Sequence, residues 1–240
     1  MINLEGLFSV RYKLKMSQFR YERKYIIENL STQKVNLIIK SHPHLFKKKY
    51  DARFVNSLYL DSLDYSFYND HVIGKSDRYK IRVRWYNNLY EEIQKPVLEI
   101  KTKKNYLGKK EYYYLNRINF HKNLQVEKLN KFIRNSNIPE KVKILNIKPV
   151  LINRYLRNYF ESADKKYRIT VDTNLTYYPI LSDKILFTKV HHDKNIVIME
   201  LKYGVDAGDY ASKITNHFPF RTMKSSKYIR GIQITRDVII

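Results

Sequence analysis

The sequence predicts an α+β domain: an antiparallel β-barrel of about eight strands with helices on its flanks. Three observations carry that prediction. Successive segments alternate charged with apolar or aromatic residues, which is the period of a strand. Few stretches show helical spacing. The 240 residues contain no repeat, low-complexity tract or linker, so they suit one large domain.

The elements follow in order. FRYERKYII (19–27) alternates as a strand. Ser31 caps a helix over about 32–48, interrupted near Pro43, with Val35, Leu37, Ile38 and Ile39 apolar. The triplet Lys47, Lys48, Lys49 is the longest basic run and is expected as a solvated helix end. FVNSLYLDS (54–62) is a strand, and residues 64–68 form a turn or short helix. RYKIRVRWY (78–86), KPVLEIKTK (95–103) and KKEYYYL (109–115) are three more strands, joined through polar Asn and Gly positions. Leu124, Leu129, Phe132 and Ile133 space an amphipathic helix over 121–135. Strands resume at 150–160, 167–178, 184–192 and 195–204, and short helices at Asp209–His217 and Met223–Ile232 close the chain.

Composition restricts function. Lys and Arg number 46 against 23 Asp and Glu, a formal charge of +23, while hydrophobic residues make up 43%. That much apolar material excludes a disordered polycation. The charge calls for a polyanionic partner. No apolar run approaches the ~20 residues of a membrane span. The opening fifteen residues have no apolar core before Arg11 and do not read as a signal peptide. Zero Cys excludes a thiolate metal site and a Cys nucleophile. No GxxxxGK[ST] loop is present, so a P-loop ATPase is not expected. His42, His44, His191 and His192 lack metal-site spacing and are expected in loops.

Strand alternation then sorts the charges. One face of 78–86 holds Arg78, Lys80, Arg82 and Arg84, the other Tyr79, Ile81, Val83 and Trp85. Glu99, Lys101 and Lys103 share a face, as do Arg20, Glu22 and Lys24, then Arg168, Thr170 and Asp172, then Glu200 and Lys202. For any single strand this is the wet side of an ordinary sheet. For the set, with bases outnumbering acids, a barrel with a basic, water-filled lumen accounts for it better. A ring of cations from several strands suits a triphosphate or polyphosphate chain. Glu22, Glu99 and Asp172 serve as salt-bridge partners or hold a divalent cation, and Glu200 is the favoured metal ligand.

Eight stretches, taken together and in order, resemble the VTC-type polyphosphate polymerase domain, a branch of the triphosphate tunnel metalloenzymes. They are FRYERKY, SLYLDSLDYSFY, RYKIRVRWY, LEIKTKK, NRYLRNYF, RITVDTNLTYY, IMELKYG and MKSSKYIRG, and they cover the chain from about residue 19. The resemblance implies a barrel tunnel in which the γ-phosphate of ATP passes to a growing polyphosphate chain, with Mn²⁺ or Mg²⁺. It implies Lys24, Arg82, Arg84 and Lys101 as catalytic. Phosphate binding falls to Arg78, Lys110, Arg154, Tyr155, Arg168, Lys202, Lys224 and Lys227, and metal binding to Glu200. Lys224 and Lys227, three apart on a helix, are expected to face one tunnel mouth together.

Hydrolytic tunnel enzymes carry ExExK on the first strand, whereas here the pattern reads Arg20-x-Glu22-x-Lys24. Fewer carboxylates favour holding a chain over activating water. A metal-dependent inorganic triphosphatase or nucleotide phosphohydrolase and a non-catalytic polyanion binder are the alternatives. ATP and polyphosphate are the expected partners, without nucleic acid, and a membrane-protein partner stays open. Family members in larger organisms often add a phosphate-sensing domain and membrane helices. This chain shows neither, so it is expected as a stand-alone cytoplasmic domain, at a membrane's inner face if such a partner docks. Residues 1–18 stand as an unassigned extension, with Met16 an alternative start, and residues 19–240 as the tunnel domain.

Overall fold

The computed structural model describes residues 20–236 apart from 106, 122, 123, 137, 144, 182, 183 and 209. The 1–18 extension lies outside the described residues. In chain order the elements are β1 (Arg20–Glu28), α1 (Thr32–Lys40), β2 (Lys47–Ser62), α2 (Ser66–Val72), β3 (Arg78–Tyr86), β4 (Glu91–Ile93), β5 (Val97–Lys104) and β6 (Leu107–Tyr114). There follow β7 (Ile118–Phe120), α3 (Val126–Asn135), α4 (Glu140–Lys143), β8 (Ile147–Glu161), β9 (Tyr167–Leu181), β10 (Lys184–Ile185), β11 (His191–Asp193), β12 (Ile196–Gly204), α5 (Ala211–Asn216) and α6 (Lys227–Arg236).

The main sheet runs β1-β12-β9-β8-β2-β3-β5-β6, with β10 and β11 added to β9, and every pairing in it is antiparallel. Register shifts interrupt the long β2–β8 ladder beside Tyr50 and at Tyr59/Leu60, and β8–β9 at Arg154/Leu156. Such irregularities bend a strand and increase its twist, and here they curl the sheet. The curl carries β1 round until its Glu22 and Lys24 line the same cavity as Lys101 of β5 and Lys110 of β6. The free edge of β1 is partly covered by the chain before α6, through a Tyr25–Thr222 bridge and a Met223 N–H donated to the Lys24 carbonyl at 2.8 Å.

Apolar residues fill three clusters. Ile81, Val83, Trp85, Leu98 and Ile100 meet Leu129 and Ile133 of α3 on one outer face. Tyr25, Ile27, Met199 and Leu201 meet Val35 and Ile39 of α1 and Ile214 of α5 on another. The third cluster lies inside the curl, where Val55, Tyr59, Tyr155, Leu175, Tyr177 and Ile198 surround Tyr228 and Ile232 of α6. Fully burying one such side chain contributes roughly 1.5–3 kcal/mol. The lumen is therefore divided: α6 packs one part of it, and the charged residues occupy the rest.

Some elements depart from expectation. Ser31 does cap α1, its hydroxyl accepting the Lys34 N–H at 3.3 Å. The helix ends at Lys40, however, and Lys47–Lys49 begin β2, where Lys49 pairs with Glu161 of β8. Pro43 forbids a continuing helix, and the strand partner supplies a counter-charge. The expected strand 184–192 breaks into β10 and β11 because Phe187 turns away to pack against Tyr90 and Tyr178, at 5.1 and 5.5 Å between ring centres. His191 and His192 lie in β11, not in a loop, whereas His42 and His44 lie in the connection between α1 and β2 as expected, with His42 buried there. β4 and β7 pair as a separate ribbon, too short to show alternation in sequence. No helix among the described residues is long and apolar enough to cross a membrane.

Candidate functional site

Pairing register brings the charged faces together. Across β3 and β5, Lys80 lies opposite Lys101 and Arg82 opposite Glu99; across β5 and β6, Lys101 faces Lys110. Across β1 and β12, Lys24 faces Glu200 and Glu22 faces Lys202; across β8 and β9, Arg157 faces Asp172. These side chains line, or sit directly behind, a cavity of about 370 Å³. Ten lysines and arginines face three glutamates in its wall.

The carboxylates organise the cations at three points. Glu99 takes two bonds from Arg82, 2.9 and 2.7 Å, and forms ion pairs with Arg84 at 3.0 Å and Lys110 at 3.3 Å. Burial alone would raise the Glu99 carboxyl, but Arg82, Arg84 and Lys110 hold it at about 2. Fully buried Asp172 binds Arg157 through two 2.6 Å bonds and Lys227 at 2.6 Å. Glu200 holds Lys202 at 2.7 Å and lies 3.6 Å from Lys24, which also reaches Glu22 at 3.2 Å. Burial opposes the Glu200 charge too, yet Lys202, Lys227 and Lys24 keep it well below the usual carboxylate range. The cations crowd one another in turn. Burial pushes the Lys110 ammonium down to about 7 despite Glu99, with Arg82 and Arg84 adding to the fall. Lys80 is pushed well below its ordinary value by burial and by Lys24, Arg82 and Lys101. A net positive cavity of this kind is stabilised by a multiply charged anion.

Lys24, Arg82, Arg84, Lys101, Lys110, Tyr155, Lys202, Lys227 and Glu200 all reach the cavity wall. Tyr155 is buried between cations, with Lys227 Nζ 4.7 Å and the Arg157 guanidinium 5.1 Å from its ring centre. Four expected residues do not line the cavity. Arg154 faces outward, its guanidinium 3.9 Å over the Phe54 ring and bonded at 2.9 Å to Asn56 Oδ1 and the Asn87 carbonyl. Period 2 allows only one of Arg154 and Tyr155 inside. The inward arginine is Arg157, two residues after Tyr155, and that spacing was the available signal. Arg168 shares the inner face but sits at the rim, bonded to Glu161 at 3.1 Å. Arg78 starts β3 and donates to the Lys75 carbonyl at 2.7 Å. Lys224 is exposed in the loop before α6, because the helix starts at Lys227 and not at Met223. That loop contributes Ser225, whose carbonyl accepts from Lys24 at 3.0 Å, and Ser226, whose hydroxyl accepts from Lys80 at 2.8 Å.

Among the described residues, no group of three or more His, Asp or Glu side chains could hold a metal ion by itself. Glu22 and Glu200 nevertheless offer two hard oxygen ligands on adjacent strands, both bound to Lys24. The buried Thr170 hydroxyl, cross-strand from Glu200, has no hydrogen-bond partner among the described residues. One or two carboxylates are what Mg²⁺ or Mn²⁺ requires when phosphate oxygens and water complete its shell. The residues fit a cation that arrives with phosphate.

A family model described as the VTC domain matches residues 19–236. The chain belongs to the VTC domain family. The match begins beside β1 and ends with α6, so the whole cavity of this VTC domain falls within it. No curated protein matches significantly. Similar solved structures include a candidate adenylate cyclase of Vibrio parahaemolyticus, 9% identical over 87% of this chain and 95% of that one, with a TM-score of 0.49. A candidate adenylyl cyclase of Hippeastrum, HpAC1, described as having a dominant triphosphatase activity, is 11% identical over 88% and 95%, at 0.48. PH1819 of Pyrococcus horikoshii is 12% identical over 90% and 99%, also at 0.48. Likeness at this level says nothing about the activity of the VTC domain.

Proposed function

We propose that this VTC domain is a polyphosphate polymerase, transferring the γ-phosphoryl group of ATP to a growing inorganic polyphosphate chain within the basic cavity. One observation carries the reading: ten lysines and arginines line the cavity, and each of its three glutamates is already paired with a lysine or arginine. Among the described residues, each carboxylate of that wall is engaged by a basic side chain, which favours holding an anion or its metal over taking a proton from water. The site is built to hold a long anion, and family membership supports the same class of substrate.

The chemistry needs no protein nucleophile. A terminal oxygen of the acceptor chain attacks the γ-phosphorus in line, the new P–O bond forms as the bond to ADP breaks, and ADP leaves with the electron pair. Catalysis is then chiefly positioning and charge neutralisation. Arg82 is held at a fixed angle by two bonds to Glu99 and Arg84 is drawn beside it by an ion pair, so their remaining donors are preorganised for equatorial phosphate oxygens. The buried Arg84 Nε has no hydrogen-bond partner among the described residues, leaving a donor for that purpose. Lys101, Lys24 and Lys80 neutralise charge from the facing strands, and Lys202, Arg157 and Lys227 hold the chain on the other wall. When bound, a divalent cation on Glu200 and Glu22 would neutralise phosphate charge as a Lewis acid.

The test is ATP turnover to polyphosphate by Arg82→Ala and Glu200→Ala. Both variants should lose synthesis by at least about a hundredfold, as for loss of a preorganised charge partner, while keeping the native circular dichroism spectrum. A folded variant of either kind with undiminished synthesis overturns the assignment.

A further inference from the structure

The charged wall continues past the cavity into a small aromatic surface. Tyr86 follows Arg84 by two residues on β3, and Tyr159 follows Arg157 by two on β8, so each shares the inner face of its strand with a cavity arginine. Neither tyrosine lines the cavity; each stands one step beyond it, about 7 Å along the strand. Arg53 of β2, opposite Arg157 in register, lies between them. Its guanidinium is 4.0 Å from the Tyr86 ring centre and 5.3 Å from that of Tyr159, and its Nε donates to the Tyr159 hydroxyl at 2.9 Å. Tyr50 meets Tyr159 edge-on at 5.7 Å. Tyr50 and Tyr86 remain 59% and 39% exposed. An exposed Tyr86 ring held by an arginine, with Tyr159 bound to the same arginine and Tyr50 set edge-on against it, is unlike the buried aromatics that pack the outer faces.

A phosphate chain has no π face and gains nothing from such rings. A nucleobase does. We infer that Tyr86, Tyr159, Tyr50 and Arg53 form a platform on which the base of the donor nucleotide stacks while its triphosphate lies among the cavity cations. The inference deepens the proposed ATP-dependent activity and rests on it. It also gives the cavity a direction: the nucleoside end lies at the mouth beside Arg84 and Arg157, and the phosphate chain extends away from it. The distance of one strand step matches the way a nucleotide places its base outside a pocket that holds its phosphates. The platform reads no hydrogen-bonding edge of the base, so it favours purines over pyrimidines by stacking area and not by pattern.

Binding without turnover tests this. Calorimetry on the intact protein and on the Tyr86→Ala/Tyr159→Ala double variant would use ATP, CTP and inorganic triphosphate as titrants, without divalent metal. A stacked base contributes roughly 5- to 100-fold in affinity. The double variant should lose that factor for ATP, lose less for CTP, and leave triphosphate affinity within twofold. Tyr86→Phe/Tyr159→Phe should retain ATP binding, which separates stacking from loss of fold. Equal losses for ATP and triphosphate, or no loss for ATP, overturn the platform. A wild-type protein that binds triphosphate as tightly as ATP, with variants unchanged, fails only the platform. One that binds neither fails the proposed function beneath it.

Discussion

Replacing Asp172 by asparagine removes the charge that holds two elements together. The carboxylate is fully buried and carries two 2.6 Å bonds from Arg157 and one ion pair of 2.6 Å from Lys227. Asparagine keeps the shape but turns one acceptor into an amide donor facing a cation. Arg157 and Lys227 are left without their counter-charge, in a wall that already contains eight other basic residues. Breaking a buried ion pair costs about 3–5 kcal/mol. Both cations line the cavity, where access to solvent relieves part of the cost, so the lower end, about 3 kcal/mol, is expected. The assay is urea unfolding followed through Trp85 fluorescence in phosphate-free buffer, repeated with inorganic triphosphate. The ligand supplies the missing negative charge, so Asp172→Asn should gain more stability from it than the wild type does. Burial would raise the Asp172 carboxyl, but Arg157 and Lys227 hold it below its ordinary 3.8. A depressed carboxylate contributes stability above its unfolded pKa and loses it as pH falls. The difference between the proteins should therefore be constant above about pH 5 and shrink below pH 4. A variant within 0.5 kcal/mol (about twofold in equilibrium constant) of wild type, with the same response to triphosphate, would refute the reasoning.

Three further outcomes are expected. A Cβ at Gly231 would meet Leu151 Cδ2 at 2.4 Å and Tyr177 Cδ1 at 2.6 Å, so Gly231→Ala should destabilise by about 1–3 kcal/mol, although the same change in an exposed helix stabilises; a raised melting temperature would contradict the packing of α6 in the lumen. Lys110 is pushed to about 7, and a bound polyanion recharges it, so triphosphate affinity should fall above pH 7 by up to roughly tenfold per unit, with proton uptake on calorimetry in two buffers; a Lys110→Met variant should flatten the profile. Burial keeps His42 below its ordinary 6.5, and burial with Lys80 and Arg78 pushes His71 to about 4. The unfolded chain takes up these protons first, so stability should be present above pH 6.5 and decline from there toward pH 4; a flat stability curve between those values would count against both placements.

The strands of the charged wall were legible because alternation is a local property. β3 falls on 78–86 as read, and β5 and β12 shift by a residue or two. The salt-bridge reading of Glu99 and Asp172 was available from the same pattern and is what the geometry shows. Other features depend on information no single segment contains. Arg154 and Arg157 both look suitable in NRYLRNYF, and only the demand that Tyr155 face inward chooses between them. The helix starts at Lys227 because Ser226 caps it, its hydroxyl accepting the Ile229 N–H at 3.4 Å and its carbonyl the Arg230 N–H at 3.0 Å; that the same hydroxyl also accepts from Lys80, 146 residues distant, is what the spacing could not show. Likewise, apolar residues on the inner faces of β8, β9 and β12 become intelligible only once α6 is seen filling part of the lumen.

The most direct test of the central claim is product analysis after incubating the purified wild-type protein with ATP and Mn²⁺. Polyphosphate chain length, ADP and free orthophosphate would be followed in one reaction. The account predicts lengthening chains, ADP rising in step with phosphate incorporated, and little orthophosphate. Orthophosphate released without chains would contradict it and identify a hydrolase. Neither product, with a melting temperature raised by polyphosphate, would reduce the cavity to a binding site.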